Sequence, residues 1–164
     1  AASQRSGARV IYTPQSLLNG RDYRRGTLKD DIDGRIRTLN QDRPKAWVKL
    51  QMNAGPEGAL TVQGTVNVTD AAERADAHAY LAIYENNLFS QVAAGENRGK
   101  RLRHDFVVRE LAGPYSTRAP GTIELEHKFK LDSRWKPADL HVAVFVQNAR
   151  SGGVLQALAI PNCR

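Results

Sequence analysis

The densest grouping of chemically capable side chains is a basic run, Arg98, Lys100, Arg101, Arg103 and His104, broken by Gly99 and preceded by Gly95-Glu96-Asn97. Arginine and lysine on a glycine-containing turn can converge on an anion, because the guanidinium fork and the ammonium give charge-assisted hydrogen bonds to phosphate or carboxylate oxygens. The same residues make an ordinary solvated hairpin if Gly95 and Gly99 supply the turn and Glu96 pairs locally. Strand alternation favours the solvated hairpin, since it sends Arg101 and Arg103 to one face and Lys100 and Leu102 to the other. Of the aromatic residues only Phe106 lies near, so the stacking platform of a single-strand nucleic-acid binder is thin, and nucleic acid is disfavoured as a partner.

Acid-base chemistry needs a titratable group held against its partner. His104-Asp105 and Glu126-His127 are adjacent pairs, yet neighbours on a strand point to opposite faces, so each pair reads as two separate surface groups. The other histidines, His78 and His141, lie on different segments, and no His-x-His or His-x-x-x-His spacing occurs. The single Cys163 excludes a cysteine-pair redox centre or a cysteine zinc site within this chain. No His neighbours it and no helix follows to lower its pKa, so it is expected to be a bystander thiol or to bond a cysteine of another chain. Nucleophile-elbow, P-loop and dinucleotide fingerprints are absent, and neither a catalytic residue, a metal nor a cofactor is expected. Asn67-Val68-Thr69 is a glycosylation sequon that matters only in a eukaryotic secretory route. Trp47 and Trp135 read as core or sheet-edge residues.

The elements that must carry these groups change character once along the chain. Residues 9–12 are extended, Thr13-Pro14 follows, and residues 15–18 lead into a turn at Asn19-Gly20, which together predict a broken strand and a hairpin. Thr27 is expected to cap a helix whose apolar positions Leu28, Ile32, Ile36 and Leu39 fall at helical spacing, with Asp30 and Asp31 in its first turn and an end before Pro44. Gly34 weakens that helix by about 1 kcal/mol relative to Ala. After Pro44 the period is two: strands are predicted at 45–52, 60–68, 79–84, 90–93, 105–111, 122–131, 140–147 and 154–160, with Gly55-Pro56-Glu57-Gly58 joining the first two.

At 164 residues, with 41% hydrophobic and 25% charged side chains, the chain is long enough for one full core. Lys+Arg 24 against Asp+Glu 17 leaves a net charge of +7, which favours acidic partners without naming one. No apolar run approaches the ~20 residues that span a bilayer, and the first residues have no apolar signal-peptide core. The absence of an initiating Met points to a processed product, an excised piece or the downstream part of a longer precursor.

The predicted fold class is mainly β: a seven- to eight-stranded antiparallel sandwich over residues 44–164, preceded over residues 1–43 by an incomplete α/β piece. That first piece, a strand, an X-Pro bond, a hairpin and a helix, resembles the C-terminal half of a thioredoxin-like fold. In that fold the bond before the proline is cis, so Thr13 and Pro14 are expected to support a redox cleft and to offer backbone hydrogen bonds to an extended substrate. At whole-chain scale, Tyr12-Thr13-Pro14-Gln15, Asn19-Gly20-Arg21, Leu81-Ala82-Ile83-Tyr84-Glu85, the run from Gly95 to Leu111, Phe145-Val146-Gln147 and Gly153-Val154-Leu155-Gln156-Ala157 resemble the bacterial exported family called domain of unknown function 1223. The resemblance implies a periplasmic or secreted protein made as a precursor, with a thioredoxin-like domain carrying a Cys-x-x-Cys pair and a C-terminal β-sandwich. It carries no established reaction. This chain lacks the half that would hold the cysteine pair, so the expected partners are that half of its own precursor or a second copy, and a protein or thiol substrate. Cys163 is then a candidate for an inter-chain disulfide. The alternative is a free-standing β-sandwich module that binds an anionic ligand, a protein or nucleic acid through the hairpin from Arg98 to His104.

Overall fold

A computed structural model describes residues 16–23, 31–118 and 120–161. Thr13, Pro14 and Cys163, and with them the expected cis bond and the inter-chain disulfide, lie outside the described residues.

Two antiparallel sheets face one another. The first holds β3 (Ala46–Ala54), β4 (Ala59–Val68) and β9 (Thr122–Lys130) in the order β3-β4-β9. The second holds β5 (Ala77–Glu85), β8 (Val107–Ser116), β10 (Leu140–Asn148) and β11 (Val154–Pro161) in the order β11-β10-β5-β8. Alternate residues of four strands meet between them: Leu60, Val62, Val66 and Val68 from β4, Ala79, Leu81 and Ile83 from β5, Ile123, Leu125 and Phe129 from β9, and Leu140, Val142, Val144 and Val146 from β10. Each large side chain so buried contributes about 1.5–3 kcal/mol, so the period-two pattern sets which way every strand faces.

Two short hairpins flank the sandwich. β1 (Ser16–Leu18) and β2 (Arg21–Tyr23) pair across Asn19-Gly20, both at positive φ, 48° and 73°, as a tight two-residue hairpin turn requires. Its tip touches the sandwich: Val154 N donates to Asn19 Oδ1 at 2.7 Å, and a Cβ on Gly20 would collide with the Gly152 carbonyl. The second hairpin, β6 (Leu88–Gln91) with β7 (Arg101–His104), is an excursion between β5 and β8, which are themselves hydrogen-bonded neighbours.

The helix corrects the sequence reading. α1 runs Ile32–Gln41 and its N-cap is Asp31, whose carboxylate accepts the Gly34 N–H at 2.8 Å. Asp31 caps this helix and so does not lie inside its first turn, while Thr27, Leu28 and Asp30 fall outside the described residues. Gly34 is the third helical residue, where a Cβ would lie 2.7 Å from Asp31 Cγ, so the expected weak point is where the cap packs. No residue of α1 is buried.

Strand boundaries also differ, chiefly at β8 and β6, and β7 is a strand that the pattern did not predict. The strand expected at 105–111 begins at Val107 and continues to Ser116 through Gly113-Pro114, the one cis peptide among the described residues. β8 is an edge strand with register shifts opposite Ala79–Leu81 and Ile83–Tyr84, and an edge tolerates a proline that a central strand would not. The strand expected at 90–93 runs Leu88–Gln91.

Candidate docking face

The five basic candidates lie on the β6–β7 hairpin and its turn, and most are engaged within it. Lys100 Nζ donates to Asn97 Oδ1 at 3.0 Å, the Arg101 guanidinium sits 4.1 Å over the Phe89 ring, and His104 Nε2 shares a hydrogen bond with Ser90 Oγ at 2.7 Å. Arg103 donates to Asn87 Oδ1 at 2.7 Å and pairs with Asp105 at 3.2 Å. Arg98 is exposed. These contacts leave no cradle around a shared anion position.

The adjacent acid-base pairs separate as expected. Glu126 faces outward and takes Gln63 Nε2 at 3.2 Å, while His127 turns inward to Glu110 on β8 at 2.9 Å, closing the seam between the two sheets. Beside it Tyr115 Oη donates to the Glu126 carbonyl at 3.2 Å, and burial, then the Glu110 charge, raises the Tyr115 phenol. Among the described residues no three His, Cys, Asp or Glu side chains gather to hold a metal. Trp47 stands on edge strand β3 and is 61% exposed, whereas Trp135 packs against the core under Arg109.

What the sequence reading missed is the outer face of the four-stranded sheet. Because β5 and β10 send odd and even positions to opposite sides, Tyr80, Ala82 and Tyr84 face outward beside Phe145, Ala143 and His141, their direct partners across the ladder. Ala157 and Ala159 continue the face onto β11, and Leu111 and Val108 onto β8. Direct cross-strand pairs become stacked rings: Tyr80 with Phe145 at 5.0 Å and Tyr84 with His141 at 5.2 Å between centroids. None of the outward positions that the register fixes carries Asp, Glu, Lys or Arg, and the far end, His78, Gln147 and Ser116, is polar. The other sheet shows the contrast, with Lys49, Glu124, Glu126, Lys128 and Lys130 exposed on its strands. A signal was present in the sequence. Residues 79–84 and 142–146 are apolar or aromatic in both phases of the alternation, the pattern of strands covered on both sides.

Phe106 ends this face. It is 72% exposed, holds φ +58°, and its ring lies 5.6 Å from that of Tyr84. A left-handed conformation costs a non-glycine L-residue roughly 1–2 kcal/mol, so it persists only where neighbours impose it. Here they do. Asn86 Oδ1 accepts the Phe106 N–H at 2.8 Å, Asp105 Oδ1 accepts the Asn87 N–H at 2.9 Å, and Asn87 Nδ2 donates to Asp139 Oδ1 at 2.8 Å. The Asn87 N–H, and after it the Arg103 charge, holds the Asp105 carboxyl below the usual carboxylate range. Behind this clasp lies Glu85, fully buried, which accepts from Arg109 Nε at 2.8 Å and from the Lys136 N–H at 3.0 Å. This polar base presents one large aromatic ring to solvent beside Tyr84, which is itself buried.

The fold is a two-sheet antiparallel β-sandwich with an exposed aromatic ring at one end of its four-stranded sheet. The chain belongs to the family described as Protein of unknown function (DUF1223), whose profile matches residues 1–147. Among solved structures it is similar to HBP35 of Porphyromonas gingivalis, with a TM-score of 0.71 at 18% identity over 98% of this chain. That alignment takes in 55% of the HBP35 chain, so this chain spans little more than half the length of its structural neighbour. At this identity the likeness is one of fold. No curated protein matches the chain. Among the described residues no helix is long and apolar enough to cross a membrane.

Proposed function

We propose that this chain is the protein-recognition part of an exported thiol-redox protein. The Cys-x-x-Cys half completes a thioredoxin-like unit against β1, β2 and α1, and the outer face of the four-stranded sheet holds the protein substrate. The observation that carries the reading is that face: free of Asp, Glu, Lys and Arg at every position its register fixes, and ended by an aromatic ring held in a strained conformation. Interfaces are built around desolvated aromatic and aliphatic anchors, and a sheet face free of charge avoids burying unpaired ions. The open state of α1, with Ile36 39% exposed, supports the placement of the missing half on that side.

The test uses the full-length gene product and compares reduction of a disulfide-containing protein with reduction of a small disulfide. Leu111→Glu and Phe106→Ala should raise KM for the protein substrate about tenfold, equivalent to about 1.4 kcal/mol, and leave turnover of the small disulfide unchanged. Equal KM values for wild type and variants with the protein substrate, or no Cys-x-x-Cys encoded upstream of Ala1, would overturn the reading.

A further inference from the structure

We infer that the β6–β7 hairpin is a strand-addition site for an extended acidic polypeptide segment. The inference stands on observations separate from those of the sheet face. β6 and β7 form a two-stranded sheet whose strands pair with each other and with no third strand among the described residues. Two strands alone are marginal in water, and a third adds both backbone hydrogen bonds and a cross-strand row of side chains.

The side chains define what that third strand must carry. Register places Phe89, Gln91, Arg101 and Arg103 on one face. Phe89 is 51% exposed with the Arg101 guanidinium over it, a cation on an apolar ring that suits a partner alternating carboxylate with a small or β-branched side chain. Arg103 is already committed to Asp105 and Asn87, which leaves Arg101 as the charge on this face for an incoming strand beside β7. A second copy of the hairpin is the wrong occupant, since it would bring the same cations edge to edge, the device by which natural sheet edges repel one another. An anionic lipid surface would satisfy the charges but would leave the open backbone edge unused.

Binding of an acetylated eight-residue Glu-Thr repeat, labelled with fluorescein, is measured by anisotropy at low salt. The same peptide N-methylated at alternate residues, a Lys-Thr repeat, and vesicles of anionic phospholipid serve as comparisons. The expected result is saturable binding of the Glu-Thr peptide, loss of binding on N-methylation, and about fivefold weakening by Arg101→Ala, the equivalent of about 1 kcal/mol. Amide shifts should be confined to residues 88–104, and Leu111→Glu should leave the affinity unchanged, so failure here and failure of the sheet-face reading are separate results. Equal binding of the N-methylated peptide, indifference to Arg101→Ala, or displacement of the peptide by anionic vesicles at lower concentration than the unlabelled peptide itself would overturn the inference.

Discussion

Replacing Arg109 should destabilise the chain far more than replacing the partner it neutralises. Glu85 ends β5 with its side chain 1% exposed and receives Arg109 Nη2 at 2.6 Å and Nε at 2.8 Å, while Arg109 keeps 28% exposure. Two unit charges about 4 Å apart attract by about 4 kcal/mol at the effective dielectric of a protein. In Arg109→Met the carboxylate loses that attraction and cannot reach water, so the loss should be about 3–5 kcal/mol. In Glu85→Leu the guanidinium swings into the solvent it already touches. The cost is then mainly the orphaned Lys136 N–H, about 1–3 kcal/mol. The double variant should lie nearer to Glu85→Leu than to the sum of the two. Urea unfolding measures all three: with a slope of about 2 kcal/mol per molar, Arg109→Met should move the midpoint down by about 2 M. A shift below about 0.5 M, or one no larger than that of Glu85→Leu, would refute the argument that burial asymmetry decides the cost.

Phe106→Asn should raise stability by about 1 kcal/mol, seen as a thermal midpoint about 2–4 °C higher, because Asn tolerates the left-handed conformation and little of the ring is buried; a lower midpoint would show that the Tyr84 contact outweighs the strain. The Lys45 ammonium at 2.6 Å, then the Asn148 amide at 2.7 Å, holds the Glu73 carboxyl below its ordinary 4.5. Its folded value lies below its unfolded one, so its contribution is complete above pH 4.5 and fades as pH falls through the folded value. The stability gap between wild type and Glu73→Gln, followed by thermal melts across pH, should therefore be full at neutrality and close in acid. Gly20→Ala should free the first hairpin from the Gly152 carbonyl, and hydrogen exchange should then quicken at the Val154 amide while β5 amides keep their protection.

The sandwich could be read from the sequence because each strand needs only a period of two and a turn signal to declare itself, and Leu60 to Val68 or Leu140 to Val146 supply both. The helix start was harder, since Thr27 and Asp31 both have capping side chains and only geometry shows that Asp31 is used. The alternating pattern predicts this strand only as far as Leu111, whereas β8 runs on to Ser116 because an edge strand with a bulge absorbs Gly113-Pro114. Arg101 and Arg103 on one face followed from alternation. Phe106 could not be found that way: the groups that fix it, Asn86 and, through Asn87, Asp139, are 20 and 33 residues distant, and no local pattern foretells a phenylalanine at positive φ.

The hairpin of β6 and β7 leaves β5 and returns to β8 at neighbouring points at the same end of the sheet. Its length and sequence are therefore free to change by descent or by design, because any loop that bridges those two strand ends leaves the register of the core intact. The clasp of Asn86, Asn87, Asp105 and Asp139 marks the joint where such an exchange would be made. A graft placed inside that joint would inherit a rigid mount with an aromatic ring beside it, so the same body can carry different binding loops as an antibody framework does.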